Sequence, residues 1–457
     1  MQYKSLFQRP SYEFGVFLLY AACIVLWLLW PSFFLHNPAA TGAFLLLGSN
    51  FLVLRRSKTR FILPDLLPLL MLLTMWVAPG IQFYLESGGQ SMSGQMMRVS
   101  SDTYFRICVP GVLAFGLGMY TSAFFSRKLA VFRLPALNAP LIPVLAAIGT
   151  AAAILGPFVP AGLRFPALLL QSLLWVAMLA SIWSPDRRLK WMIVLPGLLV
   201  FFLQALYTTM FGELMAGGLI LFVYVQYKKR WGLLPLLTAQ VLGGLLLFFL
   251  ISFKYTYRQA VQAQTGRLWD NFGIWQSLAL DRLRHPLAVG GLDPVLSRIN
   301  QGAISSICFD YVPRVQPFVR GETIRTAVAA ALIPRILWPG KPTAGGVDHC
   351  RRFMGIENRG YSLNIGTVGE AYVNFGPQGA ALFLFGWGLF LRLAFGGLWY
   401  LAARLPHLFF FFGVLFMPLL VPDSDVLMQL NHLVKGGVFS VLCCWGLERV
   451  LLERKER

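Results

Sequence analysis

Acidic residues are scarce in this sequence: 19 Asp and Glu stand against 39 Lys and Arg, and charged residues of both signs make up only 13% of the 457. A chain so poor in charge, 57% hydrophobic and with a mean hydropathy of +0.65, cannot cover a soluble surface, which excludes an ordinary soluble domain. Cysteine is sparse too. Cys23, Cys443 and Cys444 fall in apolar runs and Cys108 at the start of another, and no Cys-x-x-Cys pair occurs, so there is no disulfide framework. Only Cys308 and Cys350 share a polar segment; they either pair in an oxidising compartment or stand as two small hydrophobes. Five scattered histidines and the lack of a His-Glu-x-x-His pattern leave no recognisable zinc site, and neither a metal nor a cofactor is expected. No internal repeat is visible, which argues against transporter folds built from duplicated halves. The net charge of +20 resembles that of nucleic-acid binders, but most of it sits in short loops where it meets anionic headgroups, so no nucleic acid partner is expected.

What is present is a series of apolar runs. Crossing about 30 Å of hydrocarbon takes roughly 20 residues, and about twelve runs qualify, at roughly 14–35, 38–54, 61–79, 107–126, 139–159, 164–183, 191–209, 211–227, 231–253, 376–398, 407–422 and 432–451. The fold class is therefore an all-α polytopic membrane protein. It divides into an N-terminal bundle of about nine spans over 1–253, a large polar loop over 254–364, and a C-terminal bundle of about three spans over 365–457. Lys and Arg gather on alternate loops: Arg55, Arg56, Lys58 and Arg60; Arg127, Lys128 and Arg133; Arg187, Arg188 and Lys190; Lys228, Lys229 and Arg230; Arg404; and the tail with Arg449, Arg454, Lys455 and Arg457. The intervening turns are nearly free of both, so the termini are expected in the cytoplasm and the 254–364 loop outside. The first run, flanked by Lys4 and Arg9, lacks a small-residue cleavage site and reads as a retained helix.

Two outer segments stand out. Residues of about 80–106 are polar and rich in Gly and Ser through Ser87–Gly94, which reads as a flexible flap. In the large loop, Leu268, Trp269, Phe272, Trp275, Leu278 and Leu283 recur at helical spacing among charges including Arg267, Arg282 and Arg284. That pattern predicts an interfacial amphipathic helix over 266–284. A weaker pattern covers about 293–308, and an Ala-rich helix is expected over 323–333. Pro334 ends that helix, and Trp338-Pro339-Gly340-Lys341-Pro342 must turn sharply, leaving a rigid strap that displays Arg335 and Lys341.

The loop carries fourteen basic residues, twelve of them arginine: besides Arg320, Arg325, Arg335, Arg351 and Arg352 they include Lys254, Arg258, Arg298 and Arg359. Arginine's planar fork binds phosphate oxygens with two parallel hydrogen bonds, so the loop is built to hold an anion, phosphate or pyrophosphate first. Glu370 stands where a span begins, a costly place for a carboxylate and hence a candidate base, and Asn374 shares its helix face. Asp348, beside His349, is a second candidate. Glu213 and Lys435, just inside the outer ends of their spans, extend the same region, and Asp423-Ser424-Asp425 has the Asp-x-Asp spacing of a metal motif that arises easily by chance.

The strap Ile333-Pro334-Arg335-Ile336-Leu337-Trp338-Pro339-Gly340-Lys341-Pro342, with Gly369-Glu370-Ala371-Tyr372-Val373-Asn374-Phe375-Gly376 after it, resembles the bacterial O-antigen and oligosaccharide repeat-unit polymerases. The likeness is densest over about 310–380, and the plan of one large outer loop before the last three spans agrees along the whole chain. The resemblance implies a C-type glycosyltransferase fold in the inner membrane. It implies transfer of a glycan from undecaprenyl pyrophosphate to a sugar hydroxyl of an incoming lipid-linked repeat unit, giving a surface polysaccharide. Membrane lipids, the lipid-linked donor and acceptor, a chain-length regulator and a flippase are the implied partners. Arg335, Arg325, Arg320 and Lys341, with Arg351 and Arg352 nearby, would hold pyrophosphate; Glu370 or Asp348 would serve as base; Tyr372 and Asn374 would contact sugar. One position departs: where the family commonly has an arginine after the glycine of Phe211-Gly212, this chain has Glu213, which could itself be the base. An O-antigen ligase shares the fold class and is the nearest alternative; a lipid-linked oligosaccharide flippase is the other.

Overall fold

The computed structural model describes residues 11–89, 96–121, 141–262, 268–285, 293–335, 337–342, 346–357, 363–421 and 423–456. Lys4, Arg9, the Arg127–Lys128–Arg133 loop, residues 90–94 of the expected flap, Arg267, Ile336, Arg359 and Arg457 lie outside the described residues. Within them the chain is helical throughout, with no strand.

Besides a short helix at Pro31–His36, the nine long helices that come first are α1 (Ser11–Leu29), α2 (Pro38–Ser57), α3 (Leu66–Ser87), α4 (Ser101–Thr121), α5 (Leu141–Leu155), α6 (Arg164–Trp183), α7 (Arg187–Thr208), α8 (Gly212–Lys229) and α9 (Leu233–Ser252). Six shorter ones follow in the polar segment: α10 (Lys254–Gln262), α11 (Leu268–Arg284), α12 (Asp293–Ile299), α13 (Gln301–Tyr311), α14 (Glu322–Leu332) and α15 (Val347–Met354). Last come α16 (Gly366–Ala402), the irregular α17 (Pro406–Leu420) and α18 (Val426–Glu448). Each of the twelve apolar runs overlaps a helix. Among the described residues, nine helical stretches are long and apolar enough to cross a bilayer, and two shorter apolar helices, Glu13–Leu29 and Pro406–Leu420, accompany them.

Helix α16 is the spine, and it lies along α4 through small residues. A Cβ on Gly118 would overlap the Phe385 carbonyl oxygen, and one on Gly388 would overlap that of Phe115, so glycine at both positions sets how closely the backbones approach. In lipid, where burial of apolar groups gives helices no net drive to associate, such close van der Waals packing does the work. At one end of the bundle, Glu13 Oε1 accepts hydrogen bonds from Arg56 (2.9 Å), Arg60 (2.5 Å) and Arg392 (2.5 Å), fastening α1, the end of α2 and α16 with paired buried charges.

The polar segment departs from expectation in three ways. The 80–106 stretch is not a flap at its ends: α3 runs on to Ser87, α4 begins at Ser101, and Gln82 is buried, its amide donating to Glu86 and accepting from Asn300. The 293–308 helix is broken at Asn300, whose side chain accepts from Ala303 N–H as the cap of α13. The segment is also joined to the bundle. Gln301–Ser306 of α13 are buried, and Phe309 packs on Tyr104 of α4 and Tyr372 of α16. The 266–284 helix forms as α11 and sets Trp275 edge-on against Phe202 of α7. Cys308 and Cys350 are both buried free thiols, and Cys350 donates to the Leu363 carbonyl.

Inside α16 the backbone breaks at Gly376, which takes φ of 69°, a left-handed conformation that costs other residues strain. Pro377 follows and brings no N–H to the Val373 carbonyl one turn back. Val319 N–H takes that carbonyl instead, at 3.0 Å, and so pins the approach to α14 against the spine.

Candidate functional site

The strap after α14 is where its prolines put it. Ile333 leaves helical geometry, a tight turn joins Pro334 to Trp338, and Lys341 N–H returns to the Trp338 carbonyl. Arg335 is exposed, whereas Lys341 is buried and donates to the Ile333 carbonyl at 2.7 Å. Lys435 approaches from α18, within electrostatic range of both Lys341 and Arg335. It sits in a π-helical turn, His432–Gly436, held by Asn431 Oδ1 at 2.7 Å and by the Phe165 ring at 5.3 Å. Such turns widen a helix by one residue and often mark functional positions. Lys435, distant in sequence, therefore joins Arg335 and Lys341 of the strap. Arg320 and Arg325 stay exposed nearby, Arg320 with an uncommon left-handed φ of 47°. Arg352 is engaged elsewhere, in a two-pronged bond to Glu322 (2.7 and 2.8 Å) that holds the Glu322 carboxyl below its usual range, chiefly through those hydrogen bonds. Arg351 is exposed and only loosely paired with Asp348, at 4.0 Å.

The two expected bases are differently placed. Asp348 points outward with its side chain 71% exposed, while its neighbour His349 turns inward to 3.8 Å from Asp425. Burial lowers the proton affinity of the His349 ring against the opposing pull of Asp425. Glu370 is fully buried. Its Oε1 accepts from the Thr323 hydroxyl and its Oε2 from Val426 N–H, both at 2.8 Å, so it clamps α14 and the start of α18 to α16. Asn374 donates to Thr323 Oγ1 and to the Glu370 carbonyl, both at 2.7 Å, as its shared face with Glu370 foretold. The expected sugar contacts are not on offer in this geometry: Asn374 and Tyr372 are buried, and the Tyr372 hydroxyl donates to the Val312 carbonyl at 3.0 Å. The Asp-x-Asp pair splits as well. Asp425 is buried and caps α18 by accepting from Met428 N–H, whereas Asp423 faces Arg298 at 3.7 Å.

Arg298 belongs to a cavity of about 440 Å³ that no local motif announced. Helices α6 and α7 give it an apolar wall with Leu168, Leu169, Trp175 and Phe201, and Met417, Pro418 and Val421 close another side. Polar groups enter from three places: Lys254 and Arg258 from α10, Arg298 from α12 with Asp423, and Glu213 from the first turn of α8. Lys254 lies within electrostatic range of Arg298, Arg258 and Asp423. Arg258 Nε is buried without a hydrogen-bond partner. Glu213 Oε1 accepts from Gln171 (3.2 Å) and Trp175 (3.4 Å), and Gln171 also exchanges hydrogen bonds with Gln204. His432, three residues before Lys435, lines this cavity and links it to the strap cluster. The sequence had counted Lys254, Arg258 and Arg298 among the loop's cations but gave no reason to single them out.

Residues 108–395, more than half of the chain, match a family model described as Domain of unknown function (DUF8712). The chain belongs to this family. No curated protein and no solved structure matches it. The DUF8712 region contains Glu213, the three cavity cations, the strap and Glu370, while Asp423, His432 and Lys435 lie beyond it.

Proposed function

We propose that the protein is a membrane glycan transferase of the repeat-unit polymerase kind, moving a glycan from a polyprenyl pyrophosphate onto a sugar hydroxyl of a second lipid-linked unit. The observation that carries the reading is the cavity's composition: an apolar wall continuous with a seat of Lys254, Arg258 and Arg298, countered within that seat by Asp423. A lipid pyrophosphate has the same two parts, an apolar tail and a diphosphate diester of charge about −2, which suits an apolar wall beside three clustered cations. The buried, unpartnered Arg258 Nε gives the anion a waiting donor. As the bond to the sugar breaks, charge builds on the departing pyrophosphate, and fixed cations in a site of low polarity stabilise that charge without reorganising. The second group, Arg335, Lys341 and Lys435, suits the pyrophosphate of the acceptor.

The resemblance and the basic-loop alternation support the rest. About twelve spans cross the bacterial cytoplasmic membrane, both termini lie inside, and the 254–364 segment and the cavity mouth open outside, where glycan transfer takes place. The architecture is that of the C-type glycosyltransferases. Deletion of the gene with analysis of lipid-linked glycans tests the reading. Single repeat units should accumulate; long unattached polymer would mean a ligase, and failure of any unit to reach the outer face would mean a flippase.

A further inference from the structure

The carboxylate best placed for proton transfer is not the one in the Glu-Ala-Tyr-Val-Asn-Phe-Gly motif. Glu370 has both oxygens committed, to Thr323 and to the backbone of Val426, and does not line the cavity of the three cations. Asp348 is exposed, Asp425 caps a helix, and Asp423 faces Arg298. Glu213 differs from all of them. Like Asp423 it lines the cavity that holds the three cations, but its two oxygens are unequal: Oε1 is anchored by Gln171 and Trp175, while the nearest donor to Oε2 is the same Gln171 amide at 3.5 Å. One oxygen fixes the carboxylate and the other keeps lone pairs for a substrate. Beside it, Gln204 also lines the cavity, its amide paired with the buried Gln171 behind it (3.0 and 3.3 Å), and such an amide offers the donors and acceptors that sugar hydroxyls bind.

Building on the glycan-transfer reading, we propose that Glu213 is the catalytic base, with Gln204 contacting the acceptor sugar. Glu213 Oε2 removes the proton of the acceptor hydroxyl. The hydroxyl oxygen bonds to the anomeric carbon of the donor glycan, and the bond from that carbon to pyrophosphate breaks. Its electron pair goes to the pyrophosphate oxygen, held at Lys254, Arg258 and Arg298, and the Glu213 proton passes to water. The position that departs from the family's arginine thereby acquires a role.

The test uses the full-length protein in liposomes, with lipid-linked oligosaccharides extracted from cells lacking the gene. Glu213→Gln keeps an oxygen for Gln171 and Trp175, so it should fold with unchanged thermal stability. It should lower kcat by about 100-fold or more with little change in KM and remove the acidic limb of the pH profile. Glu213→Ala should regain part of its activity with added formate, which a purely structural carboxylate would not allow. A wild-type protein that elongates these substrates beside a fully active Glu213→Gln overturns the assignment alone. A wild-type protein that leaves them unextended overturns the transfer reading beneath it.

Discussion

Glu370 separates structure from chemistry most sharply, because the motif around it suggests a base and its contacts describe a clamp. Replacing it with Ala removes the acceptor of two buried hydrogen bonds, from Thr323 Oγ1 and Val426 N–H. The stranded Val426 N–H costs about 1–3 kcal/mol. The space left by the carboxyl group adds roughly 1–2 kcal/mol, for a total of about 2–5 kcal/mol. Glu370→Gln is far milder. Its carbonyl can still accept from Val426 N–H and its amide can donate to Thr323 Oγ1, which leaves a loss of about 1 kcal/mol for the charge assistance. For a chain of this length about 1 kcal/mol corresponds to about 1 °C in Tm, so the Ala variant should lose about 2–5 °C and the Gln variant about 1 °C. Thermal unfolding of the detergent-solubilised protein, followed by thiol labelling of the buried cysteines, reads both. Lipid-linked glycan elongation by Glu370→Gln should stay within about threefold of wild type. A Gln variant that keeps its Tm and loses elongation about 100-fold would refute the clamp and return Glu370 to the reaction.

Neutralising the cavity cations one at a time, as Lys254→Met, Arg258→Gln or Arg298→Gln, should weaken use of the lipid-linked donor by about tenfold or more each; rates with varied donor check this, and unchanged KM and kcat would remove the anion seat. The Glu322–Arg352 pair depresses the Glu322 carboxyl's folded pKa, so its contribution is complete above the unfolded carboxyl's value and is lost as pH falls through the folded one. The pair is half-exposed, so Arg352→Ala should cost only about 0.5–1 kcal/mol at neutral pH, a difference from wild type that fades in acid unfolding curves. Cys308 and Cys350 should show no change in electrophoretic mobility on reduction and should react with maleimide only after unfolding.

Much of the fold was legible because a membrane helix needs a long apolar run and little else. The strap was legible too, since Pro334, Pro339 and Pro342 restrict the backbone whatever packs around them, and Lys435 was already placed near Arg335 and Lys341 by its span end. The cavity was not. Glu213, Lys254 with Arg258, Arg298 and Asp423 come from four places along the chain, and only packing of α6, α7, α8, α10 and α12 brings them to one volume. The Asp-x-Asp spacing makes no shared site for a local reason. Asp425 accepts from the backbone of the helix it begins, which buries it, while Asp423 stays before the helix and faces Arg298. Likewise the polarity of 80–106 suggested mobility, but Gln82 finds its partners in Glu86 and Asn300, the latter more than two hundred residues away, which spacing along the chain does not reveal.

The central claim is that this protein joins lipid-linked glycans at a pyrophosphate-binding cavity. The most direct measurement is chain length after incubating the purified protein, in liposomes, with lipid-linked oligosaccharide alone. The account predicts a ladder of products spaced by one repeat unit, with release of polyprenyl pyrophosphate in equal amount and both reduced about tenfold or more in Arg258→Gln. Substrate recovered at its original length, with no pyrophosphate lipid released, would contradict it.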